Sequence, residues 1–409
     1  MTTASKESVL YPATPPAEFF EDPYSFFKRL RETDPVHWSE QVGAWIMTRY
    51  DDISTIFSDP RFSSQRVPAL MNQLPEDARR EMTPLTEHLS NWLTWTTPPD
   101  HKRIRGLLNR TFAPRMVENM RPQIQGVVDR LLDAAQAKGG MEVIRDFAFP
   151  LPFTVICELF GLPEEYQEPF KRSADGLLGF FGTSRAQADR ALIAQKAICE
   201  MRDCLTPLYD QRRRKPQSDL ISYLVDIGKD QDRLNEVELL SVIVFFLFAG
   251  HETTTDLIGN GLLALLRNPD ELQSLREDLS GRIDGAIEEM LRYDSPIQRL
   301  WRIATEDVPI DGKLIERGQI VMCMLGAANR DPAQFDQPDK FDIGRQNNRH
   351  LAFGQGVHYC IGAPLGRLEG KVAFTSLLNR FPSLKLTGPF SRKQNMSHRR
   401  LTCLPVAFG

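Results

Sequence analysis

"FGQGVHYCIG", residues 353–362, sets a cysteine and a histidine among three glycines. Glycine accepts left-handed backbone and lets the main chain come close, so Gly354, Gly356 and Gly362 predict a tight loop with N–H groups turned towards the Cys360 sulfur. "APLGRLEGKVAFTSLL" follows at once and predicts a helix from about Gly362 to Arg380, with its positive end at the cysteine. Both features favour thiolate over thiol. A thiolate so placed is a nucleophile or a metal ligand. His358 is two residues away, whereas cysteine hydrolases bring their base from elsewhere in the fold. Companion ligands for a structural zinc are missing.

The rest of the chain narrows the choice. It has 409 residues, 41% hydrophobic and 25% charged, an ordinary globular composition with enough length for a large core. No stretch rich in Gly, Ser or Pro divides it, which predicts one domain over residues 1–409. A formal charge of −4 and a pI of 6.1 offer no global attraction for nucleic acid or an anionic membrane. The N-terminal "MTTASKESVLYPATPPAEFF" lacks a signal-peptide pattern, and the longest apolar run, Val242 to Ala249, is too short to span a bilayer. A cytoplasmic protein is expected. Cys157, Cys199, Cys204, Cys323 and Cys403 form no paired framework and read as buried small hydrophobes.

Residues 36–50, with turn residues near Gly43, predict a hairpin, and β-signals return over residues 300–325 around the Asp311-Gly312 turn. Residues 51–292 and 362–380 read as mostly helical, and residues 63–100 as a long loop. The expected class is mainly α with minor β sheets. "GNGLLA", Gly259 to Ala264, matches a dinucleotide fingerprint but lies inside a helix with no preceding strand, so it is discarded.

The strongest helix runs from Glu238 to Pro269 and is apolar on every side in its first half, which marks it as buried. "AGHETTT", residues 249–255, interrupts it with polar groups that need partners. Thr253 can bond back to the Ala249 carbonyl, and Gly250 relaxes the backbone there. One reading is a polar patch satisfied by a neighbouring element. The other, favoured for the group as a whole, is a site that handles something small and polar. Glu289 and Arg292 are three apart on one helix face, with Arg345 available as a third member of a network; a solvated ion pair is the plainer alternative. His101 and Arg105 are four apart on a helix after Pro99, within the basic segment that also holds Lys102, Arg103, Arg110 and Arg115. They form either a solvated basic face or an anion-binding pair.

A haem iron needs only one such cysteine. Here the chain resembles the cytochrome P450 superfamily of haem-thiolate monooxygenases, in particular its soluble bacterial members. "FGQGVHYCIG" fits the F-x-x-G-x-x-x-C-x-G haem loop, "AGHETT" the central A-G-x-[DE]-T-T, Glu289 and Arg292 the E-x-x-R, with "ANRDP" and "FDIGR" in their expected places. The resemblance implies a triangular, helix-rich fold with haem b, iron protoporphyrin IX, between the long central helix and the Cys360 loop with its following helix. It implies Cys360 as axial ligand, Phe353 and Gly354 beside it, and His101, Arg105, Arg302 and His358 on the propionates. Glu252 and Thr253 become an acid-alcohol pair that delivers protons to dioxygen in a groove at Ala249 and Gly250. Thr97-Pro98-Pro99 stands where many relatives have Asp-Pro-Pro, which leaves the loop before His101 undefined.

The activity implied is insertion of one oxygen atom from O2 into an apolar organic substrate. Nicotinamide, flavin and Fe–S signatures are missing, so a ferredoxin or flavodoxin-type donor with its reductase is expected, docking on residues 102–115 of a monomer. A peroxide-driven peroxygenase or a nitric oxide reductase of the same fold is the alternative. A non-catalytic haem sensor or ligand carrier, and a cysteine hydrolase, complete the set. The substrate pocket is expected from residues 67–95, 175–182, 244–248 and 297–300, apolar with a few hydroxyls.

Overall fold

In the computed structural model, which describes residues 11–183, 185–227 and 234–409, the helix Glu236–Arg267 runs for 32 residues and is buried along most of its length. Asn235 starts it. Its side chain accepts the Glu238 amide at 2.9 Å, while the Glu238 carboxylate accepts the Asn235 amide at 2.8 Å. Pro269 then opens the next helix, Pro269–Glu277. By length and composition Glu236–Arg267 is apolar enough to cross a membrane, yet 67% of its most apolar window is buried inside the protein. An all-round apolar sequence is what a helix enclosed by other helices requires.

Glycines set how closely those helices approach. At Gly250 a Cβ would stand 3.0 Å from Ile156 Cδ1, on the helix Pro150–Phe160. At Gly261 it would stand 2.6 Å from Met290 Sδ and 3.0 Å from Phe374 Cζ, on the helices Leu279–Tyr293 and Ala363–Arg380. "GNGLLA" is therefore a packing surface, in keeping with its dismissal as a phosphate loop.

Beside the helices lies a five-stranded sheet in the order Val36–Ser39, Ala44–Met47, Ile320–Met324, Arg299–Ala304, Phe62–Ser63. Only the pairing of Ala44–Met47 with Ile320–Met324 is parallel. The hairpin turns fall where predicted, with positive φ at Gly43 (70°), Asp311 (50°) and Gly312 (73°). Two strands lie inside the stretch read as helical: Phe62–Ser63, on the edge of this sheet, and Gly140–Glu142, which pairs with Pro405–Ala407.

Two further expectations are corrected. Residues 63–100 are not an irregular loop but carry the helices Val67–Met71, Glu76–Glu81 and Thr83–Ser90. Leu85, Leu89 and Trp92 from this segment are buried in the main core, so packing rather than local propensity makes these short helices. Of the five ancillary cysteines, Cys157 and Cys323 are buried, and burial pushes both thiols up to about 12; Cys199, Cys204 and Cys403 are only partly covered.

Candidate active site

The loop before the helix Ala363–Arg380 turns on two glycines. Gly354 and Gly356 have φ of 68° and 72°, and a Cβ on Gly356 would lie 2.6 Å from the Phe57 carbonyl oxygen. Gly362 differs: its φ is −81°, and a Cβ there would be 3.9 Å from Cys360 Sγ, an ordinary contact. The Cys360 amide donates to the Phe353 carbonyl at 2.9 Å, and the Ala363 amide donates to the Cys360 carbonyl at 3.3 Å. The thiol faces a large internal cavity lined also by Phe353 and Gly354. Cys360 is exposed towards that cavity. Desolvation pushes its thiol up, while the amides of Gly362 and Ala363 and the guanidinium groups of Arg105 and Arg367 act towards thiolate, the direction expected of the loop and helix; a coordinated metal ion deprotonates such a sulfur.

A second wall of the cavity is cationic. His101 and Arg105 sit on the helix Asp100–Asn109, whose second residue, His101, donates its amide to the Thr97 carbonyl at 3.0 Å. His101 is buried, its Nε2 has no hydrogen-bond partner among the described residues, and its ring centroid is 4.1 Å from that of His358. Burial first, then Arg105, pulls His101 down to about 4; burial first, then His101 and the nearby arginines, pulls His358 down to about 3. His358 Nε2 meets the Ser64 hydroxyl at 2.9 Å. Arg105 donates to the Tyr359 carbonyl at 2.7 Å. Arg302 is buried against the Phe57 ring, 4.7 Å away, and donates to the Trp301 carbonyl at 2.8 Å; it lies behind the cavity wall rather than in it. Buried cations without anions are unfavourable, so this cluster fits an anionic group.

The central helix supplies the facing wall through Ala249, Gly250, Thr253 and Thr254. Thr253 Oγ1 donates back to the Ala249 carbonyl at 3.2 Å. The polar insert is split between both readings of it. Thr253 and Thr254 face the cavity, whereas Glu252 is turned away into a buried ion cluster. There its carboxylate pairs with Arg400 and lies 3.0 Å from His251 Nε2, and Arg400 Nε reaches Asp256 at 2.8 Å. Arg400, His251 and His398 hold the Glu252 carboxyl well below the usual range despite its burial. Glu252 therefore does not reach the cavity beside Thr253.

Behind the site, Glu289 and Arg292 are fully buried, which overturns the solvated-pair alternative. Arg292 Nε and Nη2 donate to the two carboxylate oxygens at 2.7 and 2.8 Å, and its remaining bonds go to the carbonyls of Asn329, Pro338 and Lys340. Arg345 Nε joins Glu289 at 3.2 Å. The network ties residues 329–348 to the helix Leu279–Tyr293, and so fixes the approach to the Cys360 loop.

All four expected segments contribute to the pocket, through Leu70, Trp95, Phe181, Phe248 and Leu300 among others. Sequence reasoning missed Arg66 and Glu369, which also line the cavity, and included Arg299 only as part of the segment 297–300. Glu369 follows Cys360 by nine residues on the helix Ala363–Arg380, and burial pushes it up to about 8, with the Thr254 hydroxyl opposing. An acid at that helical spacing from the cysteine was visible in the sequence. Arg66 lies one residue outside the expected segment.

A cysteine, an alcohol-bearing helix and a cation cluster around one apolar cavity fit a haem b group. The cytochrome P450 family model matches residues 46–401, and the chain belongs to this family. It is 40% identical over 405 residues to a biotin biosynthesis cytochrome P450 of Bacillus subtilis, covering 97% of this chain and 98% of that one. It is also 40% identical over 402 residues to the cytochrome P450 monooxygenase PikC of Streptomyces venezuelae, covering 95% and 92%. The structure of P450BioI in complex with a hexadec-9Z-enoic acid-ligated acyl carrier protein superposes with a TM-score of 0.90 at 38% identity, over 96% of this chain and 100% of that one. The protein is a monooxygenase of the haem b-dependent class.

Proposed function

We propose that Cys360 would hold the haem iron through its thiolate and that Thr253 would present its hydroxyl in the cavity where dioxygen is activated. The observation that carries this reading is that Cys360 and Thr253 line one cavity from two different elements. When bound, the haem supplies dioxygen activation, with thiolate donation favouring O–O cleavage. The chain's own residues do the rest. Arg105 and Arg302 would offset the charge of the propionates, and His101 and His358 would donate ring N–H bonds to them. Phe353 packs beside the sulfur, under the Arg367 guanidinium 4.4 Å from its ring. Thr253, bonded to the Ala249 carbonyl, holds a proton donor at the cavity. Glu252 is a positioning residue: its ion pair with Arg400 anchors the helix one residue before Thr253. The Phe and Trp lining excludes water from the reaction.

The electrons come from a ferredoxin or flavodoxin-type donor with its reductase. Lys102, Arg110 and Arg115 are exposed on the segment whose Arg105 bonds to the Tyr359 carbonyl, whereas Arg103 is engaged by Glu238 and Asp100. The docking surface is thus narrower than the sequence suggested. The protein works as a cytoplasmic monomer built as one domain over residues 1–409.

The test is incorporation of labelled dioxygen into product, with candidate substrates first chosen by the spin-state shift they induce among fatty acids, terpenoids, steroids and macrolides. Label in the product at one atom per turnover supports the reading. Turnover driven by peroxide alone, with none from O2 and reduced donor, contradicts it.

A further inference from the structure

Arg66, Arg105, Arg299 and Arg302 stand at or just behind the cavity, and none forms an ion pair with a carboxylate among the described residues. Haem b carries two propionates. Arg302, Arg105 and, least of the three, Arg66 act on His358, and the first two are the propionate partners that the family resemblance implies. Arg66 and Arg299 are left over.

The two are gathered at one platform. Arg66 Cζ lies 5.9 Å and Arg299 Cζ 5.5 Å from the centroid of the Trp301 ring, and Arg66 is also 5.0 Å from that of Trp95. Among the described residues Arg66 makes a single long hydrogen bond, 3.4 Å to the Trp301 carbonyl, although a guanidinium has five N–H donors. Arg299 donates to Ser397 Oγ at 3.2 Å and to the Thr183 carbonyl. Aromatic faces offset part of the cost of a desolvated cation. Two like charges in a largely apolar cavity still lack an anion, and burial together with Arg302 and Arg299 pulls Arg66 down to about 9. The same cavity is lined by Phe180, Phe181, Phe245, Phe248 and Thr253.

We propose that Arg66 and Arg299 form a carboxylate subsite, so that the substrate is an amphiphile with a carboxylate head at Trp301 and an apolar chain reaching towards Thr253. The guanidinium fork suits a planar carboxylate, and the phenylalanines suit an alkyl chain. This inference rests on the monooxygenase reading and names its substrate class.

Purified holoenzyme is titrated with dodecanoate, dodecan-1-ol and methyl dodecanoate, with binding followed by the spin-state shift and, independently, by equilibrium dialysis. Dodecanoate is expected to bind at least tenfold more tightly than either neutral ligand. Arg66→Gln and Arg299→Gln should each reduce that preference at least tenfold while leaving dodecanol affinity unchanged, and Arg66→Lys should restore part of it. Haem transfer to apomyoglobin is measured on every variant. Equal affinities for acid and alcohol in the unaltered protein, or no binding of dodecanoate, would overturn the proposal. So would an Arg66→Gln protein that loses haem faster and binds all three ligands equally poorly, since Arg66 would then serve a propionate. Carboxylate preference without oxygen insertion would sink the monooxygenase reading alone; oxygen insertion without that preference would sink only the subsite.

Discussion

Removing the carboxylate at Glu289 tests whether the buried network behind the site holds the haem loop in place. Glu289→Ala takes away both acceptors of the Arg292 fork, the partner of Arg345 Nε, and the acceptor of the Asp342 amide at 2.8 Å. Arg292 is fully buried and Arg345 nearly so. Two guanidinium groups are thus left without an anion in the interior, and breaking a buried pair in this way costs about 3–5 kcal/mol. The exposed pair Arg80–Glu76, with side chains 74% and 65% accessible, is the control, and Glu76→Ala should cost less than about 1 kcal/mol. The assay is urea unfolding of the holoenzyme, read by circular dichroism and by the haem band together. Glu289→Ala should shift the midpoint well below that of Glu76→Ala and release haem in the same transition. Glu289→Ala/Arg292→Ala should recover part of the loss, because one stranded charge goes with it. A Glu289→Ala midpoint equal to that of Glu76→Ala would refute the argument that burial makes this pair costly to break.

Three other outcomes follow from the geometry. Thr253→Ala should cut product formed per O2 consumed at least about tenfold, with peroxide accumulating and the substrate-induced spin shift unchanged; intact coupling would remove Thr253 from proton handling. Glu369 keeps its proton up to about pH 8 when folded but loses it near 4.5 when unfolded, so the folded state binds more protons between those values and stability falls as pH rises, by at most about 1.4 kcal/mol per unit. Glu369→Gln should flatten that slope, whereas parallel wild-type and variant profiles would show that Glu369 is ionised in the fold. Reversing Lys102 and Arg110 together should slow reduction by an acidic donor protein and weaken its dependence on ionic strength; unchanged rates would move the docking surface elsewhere.

Much of this arrangement was legible because local chemistry carried it. The apolar run after Glu238 marks the central helix, Gly43 and Asp311-Gly312 mark their turns, and Gly354 and Gly356 need the positive φ that the Cys360 loop gives them. Segments whose structure comes from packing were not legible. The helices within residues 63–100 are five to eight residues long and exist because Leu85, Leu89 and Trp92 are buried elsewhere in the fold. Glu252 sits beside Thr253 in sequence, but Arg400, 148 residues away, decides where its carboxylate points. Arg66 and Glu369 gain their character from burial beside uncompensated partners, which no short motif encodes.

The central claim is that Cys360, as a thiolate, ligates a haem iron at the cavity that Thr253 faces. The direct measurement is the absorption spectrum of the purified, dithionite-reduced protein under carbon monoxide, taken alongside Cys360→His. The account predicts the red-shifted Soret band of thiolate ligation for the unaltered protein and its loss, with haem retained, in Cys360→His. A band at the unshifted position in freshly prepared, unaltered protein, or a red-shifted band that survives in Cys360→His, would contradict it.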